Sequence, residues 1–274
     1  MSEPFEAAAW DAPMGLHGYR WAAVDPRARV LLCHGYAEHA GRYVNHYSGV
    51  VRRLVAAGFD VHAFDFEGHG RSAGTRGLTD IGRMADALAQ ARAMLADRPL
   101  FLFGHSLGGL VTSLSVAREP GGLAGVVLSG PYLPLRSNAV ARALARTLAT
   151  VAPSLGVAKL GDPTGISRIE AEVQAYRDDP LVFTRAIPAR LGATALAAGA
   201  EILAALPQWR APTLVFHGTA DTYTDPRGSE ALVAGIASAD KDLLLAEGGR
   251  HELLNDLGRE ALVEQVLDWL VARV

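Results

Sequence analysis

Short, uninterrupted apolar runs alternate with longer amphipathic stretches over most of the 274-residue chain. A strand with one face in water alternates polar and apolar residues, so uninterrupted runs indicate strands that are covered on both faces. The sequence therefore predicts the α/β class, with a mostly parallel central sheet flanked by helices. The predicted parallel strands are Val30–Cys33, Val61–Phe64, Leu100–Phe103, Val126–Leu128, Thr213–Phe216 and Leu243–Leu245. The predicted helices cover about residues 43–57, 79–96, 107–118, 226–237 and 258–273.

Two further segments complete the predicted organisation: the N-terminal segment and one long interruption of the alternating pattern. Residues 5–25 are expected to add one or two antiparallel edge strands. Between about residues 133 and 208 no convincing strand occurs, and Ala- and Leu-rich segments with helical spacing are separated by Pro and Gly. We therefore predict an α/β core made of residues 1–132 and 209–274, with residues 133–208 inserted as a helical cap.

Charge and cysteine content exclude several classes of function. The net charge is −3, from 29 acidic and 26 basic side chains, which gives no general electrostatic reason to bind nucleic acid. Cys33 is the single cysteine, so an intramolecular disulfide cannot form and a cysteine-based metal site is not expected. The first residues have no signal-peptide pattern, and no uncharged apolar run of about 18 residues occurs. The expected location is the cytoplasm, and the oligomeric state stays open.

The strongest chemical signal is a G-x-S-x-G motif, Gly104–Gly108, between a predicted strand and a predicted helix. On such a sharp turn the two glycines let strand and helix approach closely. Ser106 then lies at the helix N-terminus, where free N–H groups favour developing negative charge. The sequence predicts Ser106 as a nucleophile, against the alternative of a capping serine in a Gly-rich turn.

A serine nucleophile needs a base and an acid that orients the base, in this architecture after later strands. Only His217 and His251 follow Ser106 as histidines. Asp221 comes just after one predicted strand and His251 just after the next, so the predicted triad is Ser106, Asp221 and His251. Asp225 is the alternative acid, and a structural role is expected for His217, which is still at the strand end.

Acyl transfer also needs two backbone donors for the developing oxyanion. The N–H of Leu107, next to the nucleophile, is one candidate. The loop that follows the first long strand supplies the other, and there we predict the N–H of Tyr36.

Five segments together identify a family. The segments HGYAEHAGRY, DFEGHGRSAGTRG, GHSLGG, HGTAD and GRHE occur in the order found in the monoacylglycerol lipase/lysophospholipase branch of the α/β-hydrolases, which the chain resembles from about residue 30 onward. ISRIEAEVQAYRDDPLVF, within the insertion, belongs to the same resemblance. One position departs from the common pattern, since Ala37 stands where glycine is frequent, which leaves the exact path of that loop open.

The resemblance implies the α/β-hydrolase fold, the triad and oxyanion donors given above, and a helical lid over an acyl pocket. It implies a serine hydrolase that cleaves carboxylic esters. The activity expected first is that of a monoacylglycerol lipase, and the alternatives are a lysophospholipase or a broad carboxylesterase. It also suggests that Glu38 and Arg42 lie near a glycerol-like end of the substrate. Their i, i+4 spacing is equally typical of a simple ion pair at the start of a helix.

Other classes of function have less support in the sequence. A prolyl-type aminopeptidase needs a site for a free amine, which the sequence does not reveal, and a non-catalytic ligand-binding member of the fold could keep the triad. Dehalogenases and epoxide hydrolases carry Asp at the nucleophile position, where this chain has Ser106.

No cofactor and no metal are expected. His251-Glu252 begins like a zinc-binding helix, but the second histidine is absent. The Gly-rich stretch Glu67–Gly74 lacks the spacing of a dinucleotide fingerprint, and Asp65 and His69 are expected to be structural.

The insertion contains one amphipathic segment, Asn138–Val151, with apolar and arginine-bearing faces. One hypothesis is a transient contact of this cap helix with anionic lipid surfaces. The other, which the short length favours, is that Val140, Leu144, Leu148 and Val151 pack on the core while Arg142 and Arg146 face water.

Overall fold

The computed structural model describes residues 5–135 and 137–274. The strands are β1 (Ala8–Asp11), β2 (His17–Trp21), β3 (Ala28–Cys33), β4 (Phe59–Phe64), β5 (Leu100–His105), β6 (Gly125–Ser129), β7 (Gly156–Ala158), β8 (Ile187–Pro188), β9 (Thr213–Gly218) and β10 (Lys241–Ala246). Eight of them form one sheet in the order β1-β2-β4-β3-β5-β6-β9-β10. The last six in that order are parallel, whereas β1 and β2 form a hairpin that joins β4 antiparallel. The predicted parallel sheet and its antiparallel edge are thereby confirmed.

Nine α-helices are found in the described part of the chain, and four of the five helices predicted with bounds lie close to them. They are α1 (Arg42–Asn45), α2 (Val50–Ala56), α3 (Ile81–Met94), α4 (Leu107–Arg118), α5 (Ala139–Val151), α6 (Glu170–Asp178), α7 (Ala189–Ala205), α8 (Pro226–Gly235) and α9 (Arg259–Val271). The prediction of a single helix over about residues 43–57 is wrong. Tyr47 and Ser48 both adopt φ of 53°, which breaks the helix between α1 and α2. The break is held by tertiary contacts, because the N–H of Tyr47 donates to Oδ1 of Asn255.

The core consists of two apolar layers, one on each face of the sheet. Side chains of α3, α4, α7 and α8 cover one face, and those of α2 and α9 cover the other. Because the central parallel strands β3, β5, β6 and β9 are covered on both faces, they carry uninterrupted apolar runs, whereas β10 at the edge is only partly covered. Their carboxyl ends meet along one edge, and the residues of the candidate site follow those ends.

The insertion between β6 and β9 contains α5, α6 and α7. It also contains the short antiparallel pair β7–β8, which the sequence did not predict because two or three residues are too few to show periodicity. Leu191, Ala195, Ala198 and Ile202 of α7 belong to the same buried cluster as α3 and α4. By length and composition alone, Ala189–Gln208 could cross a membrane, but 44% of its most apolar window is buried inside the protein.

The packing of α5 differs from the favoured expectation. None of its side chains is buried, and Val140, Leu144 and Val151 are 69%, 68% and 75% exposed. The prediction that this apolar face packs on the core is therefore wrong. Within the described residues, α7 is the helix that packs extensively along α5, and the apolar face of α5 is exposed.

Candidate active site

Ser106 lies at the sharp turn between β5 and α4, with φ of 52° and ψ of −116°. This conformation is strained for a residue with a side chain and occurs typically at functional sites. The two glycines of the motif are sterically required. A Cβ on Gly104 would lie 2.6 Å from Oγ1 of Thr112, and one on Gly108 would overlap the carbonyl oxygen of Cys33. The turn is fixed further by the N–H of Ser106, which donates to the carbonyl of Ser129 at 3.0 Å.

Asp221 and His251, which follow β9 and β10, are joined by a hydrogen bond of 2.7 Å between Oδ2 and Nδ1. The carboxylate of Asp221 also accepts other hydrogen bonds. Its Oδ1 accepts from the N–H groups of Tyr223 and Thr224, and its Oδ2 accepts from the hydroxyl of Thr224. Nε2 of His217 lies 3.2 Å from the same Oδ2. The carboxylate is thus held in one orientation toward His251.

The charges of this pair favour an ionised acid beside a basic imidazole. Burial alone would raise the pKa of Asp221, but the charge of His251 and hydrogen bonds from both histidines and Thr224 hold it well below its usual range. Burial likewise opposes protonation of His251, yet the charge and hydrogen bond of Asp221 raise the pKa of His251 above its ordinary value. His251 is therefore suited to accept a proton and to hold it as an imidazolium.

The loop after β3 brings a second backbone donor toward Ser106. A Cβ on Gly35 would lie 3.3 Å from Cβ of Ser106, so the two segments are in direct contact. Among the described residues, neither the N–H of Tyr36 nor that of Leu107 donates a hydrogen bond. Unpaired backbone N–H groups are what stabilisation of an oxyanion would use.

Two cavities meet at Ser106. One, of about 300 Å³, is largely apolar and lies beneath the insertion. Its lining includes Leu107, Tyr132, Ile187, Leu191 and Ala195. The other, of about 40 Å³, is bordered by several titratable side chains, His251, Glu38, Glu252, Tyr176 and His105. Ser106, Tyr36, Leu160 and Tyr223 line both cavities, so a molecule bound at the serine reaches both.

Several known proteins are similar to this chain in sequence and in architecture. A family model described as serine aminopeptidase, S33, matches residues 24–258. The monoacylglycerol lipase of Mycolicibacterium smegmatis is 35% identical over 257 residues, which cover 91% of this chain and 90% of that lipase. Human monoglyceride lipase is 33% identical over 240 residues, 85% of this chain and 78% of that protein. The crystal structure of Paleococcus ferrophilus monoacylglycerol lipase matches with a TM-score of 0.85 and 33% identity, over 95% of this chain and all of that one.

The chain belongs to the α/β-hydrolases, in their monoacylglycerol lipase-like branch. The predicted fold and the predicted class, a serine hydrolase of this branch, are thereby confirmed.

Glu38 and Arg42 belong to a buried ionic network of this α/β-hydrolase. Nη1 of Arg42 donates to Oε2 of Glu38 at 2.5 Å and to Oε1 of Glu252 at 2.9 Å. Tyr43 and Tyr47 donate their hydroxyls to Glu38, at 2.7 and 3.0 Å. Burial opposes ionisation of Glu38, but the charge of Arg42 and the hydrogen bond from Tyr43 lower the pKa of Glu38 to about 2. Both carboxylates line the smaller cavity, whereas Arg42 is not among the described residues that do so.

The other residues singled out by sequence have structural surroundings. Asp225 caps α8 and pairs with Arg227, while Asp221 holds His251. His217 is fully buried, and its Nδ1 lies 2.7 Å from Oγ of Ser229, so it braces the loop that carries Asp221. Asp65 accepts hydrogen bonds from the hydroxyl of Tyr19 and from two backbone N–H groups, which fixes the Gly-rich turn. No cluster of three His, Cys, Asp or Glu side chains suited to a metal occurs in the described part of the chain.

Sequence reasoning missed several residues of this α/β-hydrolase that surround His251. The ring of Tyr223 stacks on the imidazole, with centroids 4.9 Å apart and planes at 12°. His105 lies on another side, with its ring centroid 4.8 Å from that of His251. Burial and the nearby His251 lower the pKa of His105 to about 4, so His105 stays neutral. Glu252 could have been noticed as the neighbour of His251. Tyr176, on α6, lies in the segment ISRIEAEVQAYRDDPLVF, whose resemblance to the family was the available signal.

Proposed function

We propose that this α/β-hydrolase hydrolyses monoacylglycerols or closely similar monoesters, with Ser106 as nucleophile, His251 as base and Asp221 as the orienting acid. The observation that carries the proposal is the pair of cavities that meet at Ser106, a larger one with a largely apolar lining and a small one bordered by titratable side chains. An ester of a fatty acid with a small polyol has the same two-sided character. Its acyl chain fits the apolar cavity beneath the insertion, and its alcohol fits the smaller one beside His251.

The proposed reaction proceeds through an acyl-enzyme. His251 takes the proton of the Ser106 hydroxyl as the oxygen attacks the ester carbonyl, and the N–H groups of Tyr36 and Leu107 stabilise the resulting oxyanion. The protonated His251 then gives its proton to the departing alcohol, and the acyl group remains on Ser106. Water, deprotonated by His251, attacks the acyl-enzyme and releases the fatty acid. The charge of Asp221 stabilises the imidazolium in both steps.

The smaller cavity favours a neutral alcohol over a phosphate-bearing one. Glu38 and Glu252 both face it, and the pKa of each is lowered, chiefly because the charge of Arg42 outweighs the effect of burial. Two carboxylates that stay ionised repel a phosphodiester but accept hydrogen bonds from hydroxyl groups. We therefore place the lysophospholipase alternative second. The carboxylate of Glu38 already accepts hydrogen bonds from Gly35, Tyr43, Arg42 and Tyr47, so we assign Glu38 and Arg42 to holding the shape and charge of this end of the site.

A prolyl-type aminopeptidase is disfavoured by the apolar cavity. Binding of a free amine calls for a carboxylate near the acyl side of the serine. Among the described residues that line the 300 Å³ cavity, the single charged side chain is Lys159, a cation. A cation there would repel an ammonium group.

We further propose that residues 133–208 act as a cap whose helix α5 makes transient contact with lipid surfaces. Val140, Leu144 and Val151 present an exposed apolar face, and Arg142 and Arg146 lie on the same helix. An exposed apolar stripe on an amphipathic helix is typical of helices that lie in a membrane interface. Arg142 and Arg146 line the cavity between α5 and α7, so the apolar stripe would make the contact. In co-sedimentation with anionic liposomes, Leu144→Asp should reduce binding, whereas Val24→Asp, at a residue 97% exposed outside the cap, should not. Equal binding by both variants would contradict the lipid contact. The cytoplasmic location stays a prediction.

The substrate is tested by initial rates on matched compounds. Monoacylglycerols of several chain lengths, lysophosphatidylcholine, p-nitrophenyl esters and a prolyl anilide are compared, each with Ser106→Ala as control. Preference for monoacylglycerols, abolished in Ser106→Ala, supports the proposal. Activity confined to short activated esters would keep the mechanism and overturn the lipase assignment. If no compound is cleaved and a fluorophosphonate fails to label Ser106, the result supports the alternative of a non-catalytic ligand-binding protein.

A further inference from the structure

The loop that carries the second oxyanion donor is contacted by the insertion as well as by the core. Ala37, the residue after Tyr36, has φ of 68°, a left-handed conformation that residues with a side chain rarely adopt. Such a conformation persists only where surrounding contacts hold it. One of those contacts is a backbone hydrogen bond of 3.2 Å from the N–H of Phe183 to the carbonyl of Ala37.

The side chain of Phe183 is buried against the same loop. Its ring meets that of Tyr36 edge to face, with centroids 5.3 Å apart at 84°, and its centroid lies 5.2 Å from that of His69. His69 contacts Tyr36 as well, at 5.2 Å. The hydroxyl of Tyr36 donates to the carbonyl of Gly77, where a Cβ would fall 2.7 Å from that hydroxyl. The aromatic ring of Tyr36 is therefore enclosed, with Phe183 supplying the wall that comes from the insertion.

A second contact fixes the segment that carries Phe183. Oδ2 of Asp179 lies 2.9 Å from Nε2 of His39, two residues beyond Ala37, and Oδ1 of Asp179 accepts from the N–H of Leu181. Residues 179–183 of the insertion thus contact the loop at two points, one on each side of Glu38.

We infer that Phe183 is a positioning residue for the oxyanion hole, which holds Tyr36 and Ala37 so that the N–H of Tyr36 points toward the reacting carbonyl. This inference rests on the proposed function, since it assumes that Ser106 forms an acyl-enzyme. It assigns the insertion a part in the chemical step, because the loop has its catalytic shape only while residues 179–183 are seated on it. Preorganised donors act on the transition state more than on the bound substrate.

The test compares Phe183→Ala, Phe183→Leu and the exposed neighbour Thr184→Ala on the best monoester of the wild-type enzyme. Four quantities are measured: kcat, KM, inhibition by a trifluoromethyl ketone of the same acyl chain, and inhibition by the fatty acid product. The oxygen of Ser106 adds to the carbonyl carbon of the ketone, and the carbonyl oxygen becomes an oxyanion. The fatty acid forms no such adduct, so its inhibition constant reports binding in the acyl cavity alone.

Phe183→Ala is expected to lower kcat about 10-fold or more, since loss of a whole oxyanion donor costs about 100- to 1,000-fold. Affinity for the ketone should fall by a similar factor, while KM, the fatty acid inhibition constant and the thermal midpoint stay close to wild type. Phe183→Leu, which keeps an apolar side chain, should recover part of kcat, and Thr184→Ala should match wild type.

Two results would overturn the inference. One is unchanged kcat and ketone affinity in Phe183→Ala. The other is an equal loss of ketone and fatty acid affinity, which would mean that Phe183 only shapes the cavity. If Phe183→Ala does not fold, Phe183→Leu is decisive by the same two criteria. A wild-type enzyme that cleaves no ester and resists fluorophosphonate would instead refute the proposed function itself.

Discussion

The ring of Tyr223 stacks on the imidazole of His251, while its hydroxyl donates to the carbonyl of Asp162 in the insertion at 2.8 Å. One side chain thus touches both the candidate base and the cap. The stack restricts the imidazole to one plane, and the hydrogen bond fixes the tyrosine.

Two substitutions separate these contacts. Tyr223→Phe keeps the stack and should leave kcat nearly unchanged. Tyr223→Ala frees the imidazole to turn and should lower kcat by up to about 100-fold, the cost of a small misplacement of a catalytic group. Steady-state kinetics on a monoacylglycerol decide the matter. An equal loss of kcat in both variants would show that the imidazole is positioned through the hydrogen bond of Tyr223 and not through the stack.

The assignment of the acid is tested by paired substitutions. Asp221→Asn should lower kcat by about 10⁴-fold, because the amide favours the wrong tautomer of the histidine. Asp225→Asn serves as the matched control, since asparagine caps a helix as well as aspartate does. It should retain wild-type activity. Loss of activity in Asp225→Asn with Asp221→Asn unaffected would reverse the assignment.

The pH dependence follows from the raised pKa of His251. Burial opposes protonation, but the charge of Asp221 outweighs it and raises the pKa. Because His251 must be neutral to take the proton of Ser106, the inactive protonated form persists to higher pH than for an ordinary histidine. The acidic limb of the kcat/KM profile should therefore lie above pH 6.5, about the value of an unperturbed histidine. An acidic limb at or below that pH would contradict the coupling to Asp221.

The buried ionic network should matter more for stability than an exposed one. Arg42→Met leaves Glu38 and Glu252 buried without their cation and should lower the free energy of unfolding by about 3–5 kcal/mol. Arg53→Met removes a partly exposed cation that pairs with the exposed Glu260 and Glu264 and should cost less than about 1 kcal/mol. Urea unfolding monitored by circular dichroism measures both. Similar losses in the two variants would mean that the network contributes no more than a surface pair.

The turn at Ser106 should tolerate no side chain at its glycines. In Gly108→Ala the new methyl group would overlap the backbone of Cys33 and His34, which cannot move without distorting β3. We expect loss of soluble protein or of activity. Gly121→Ala places a methyl group in open space and is the control. Expression yield and fluorophosphonate labelling measure the outcome, and normal labelling of Gly108→Ala would contradict the packing argument.

Much of the fold was predictable because its signals are local. The six parallel strands carry apolar runs, and Gly104, Ser106 and Gly108 mark the turn between β5 and α4 in the sequence. The order of Ser106, Asp221 and His251 follows from strand ends that meet at one edge of the sheet. The helix over residues 43–57 was predicted as one element because the left-handed residues Tyr47 and Ser48 have no propensity signal. Their conformation depends on contacts with Asn255 and Leu254, which are distant in sequence.

Sequence by itself predicted the architecture from periodicity, the nucleophile and its partners from short motifs at strand ends, and the reaction class from the family resemblance, because each of these signals lies in a short segment of the chain. Tertiary structure decided what surrounds them. It turned the pair of Glu38 and Arg42 into a buried network with Glu252, and it exposed the apolar face of α5. It also set Tyr176 beside the smaller cavity and Phe183 against the oxyanion loop. The last two come from an insertion whose course across the core no short-range pattern encodes, because long-range packing selects it.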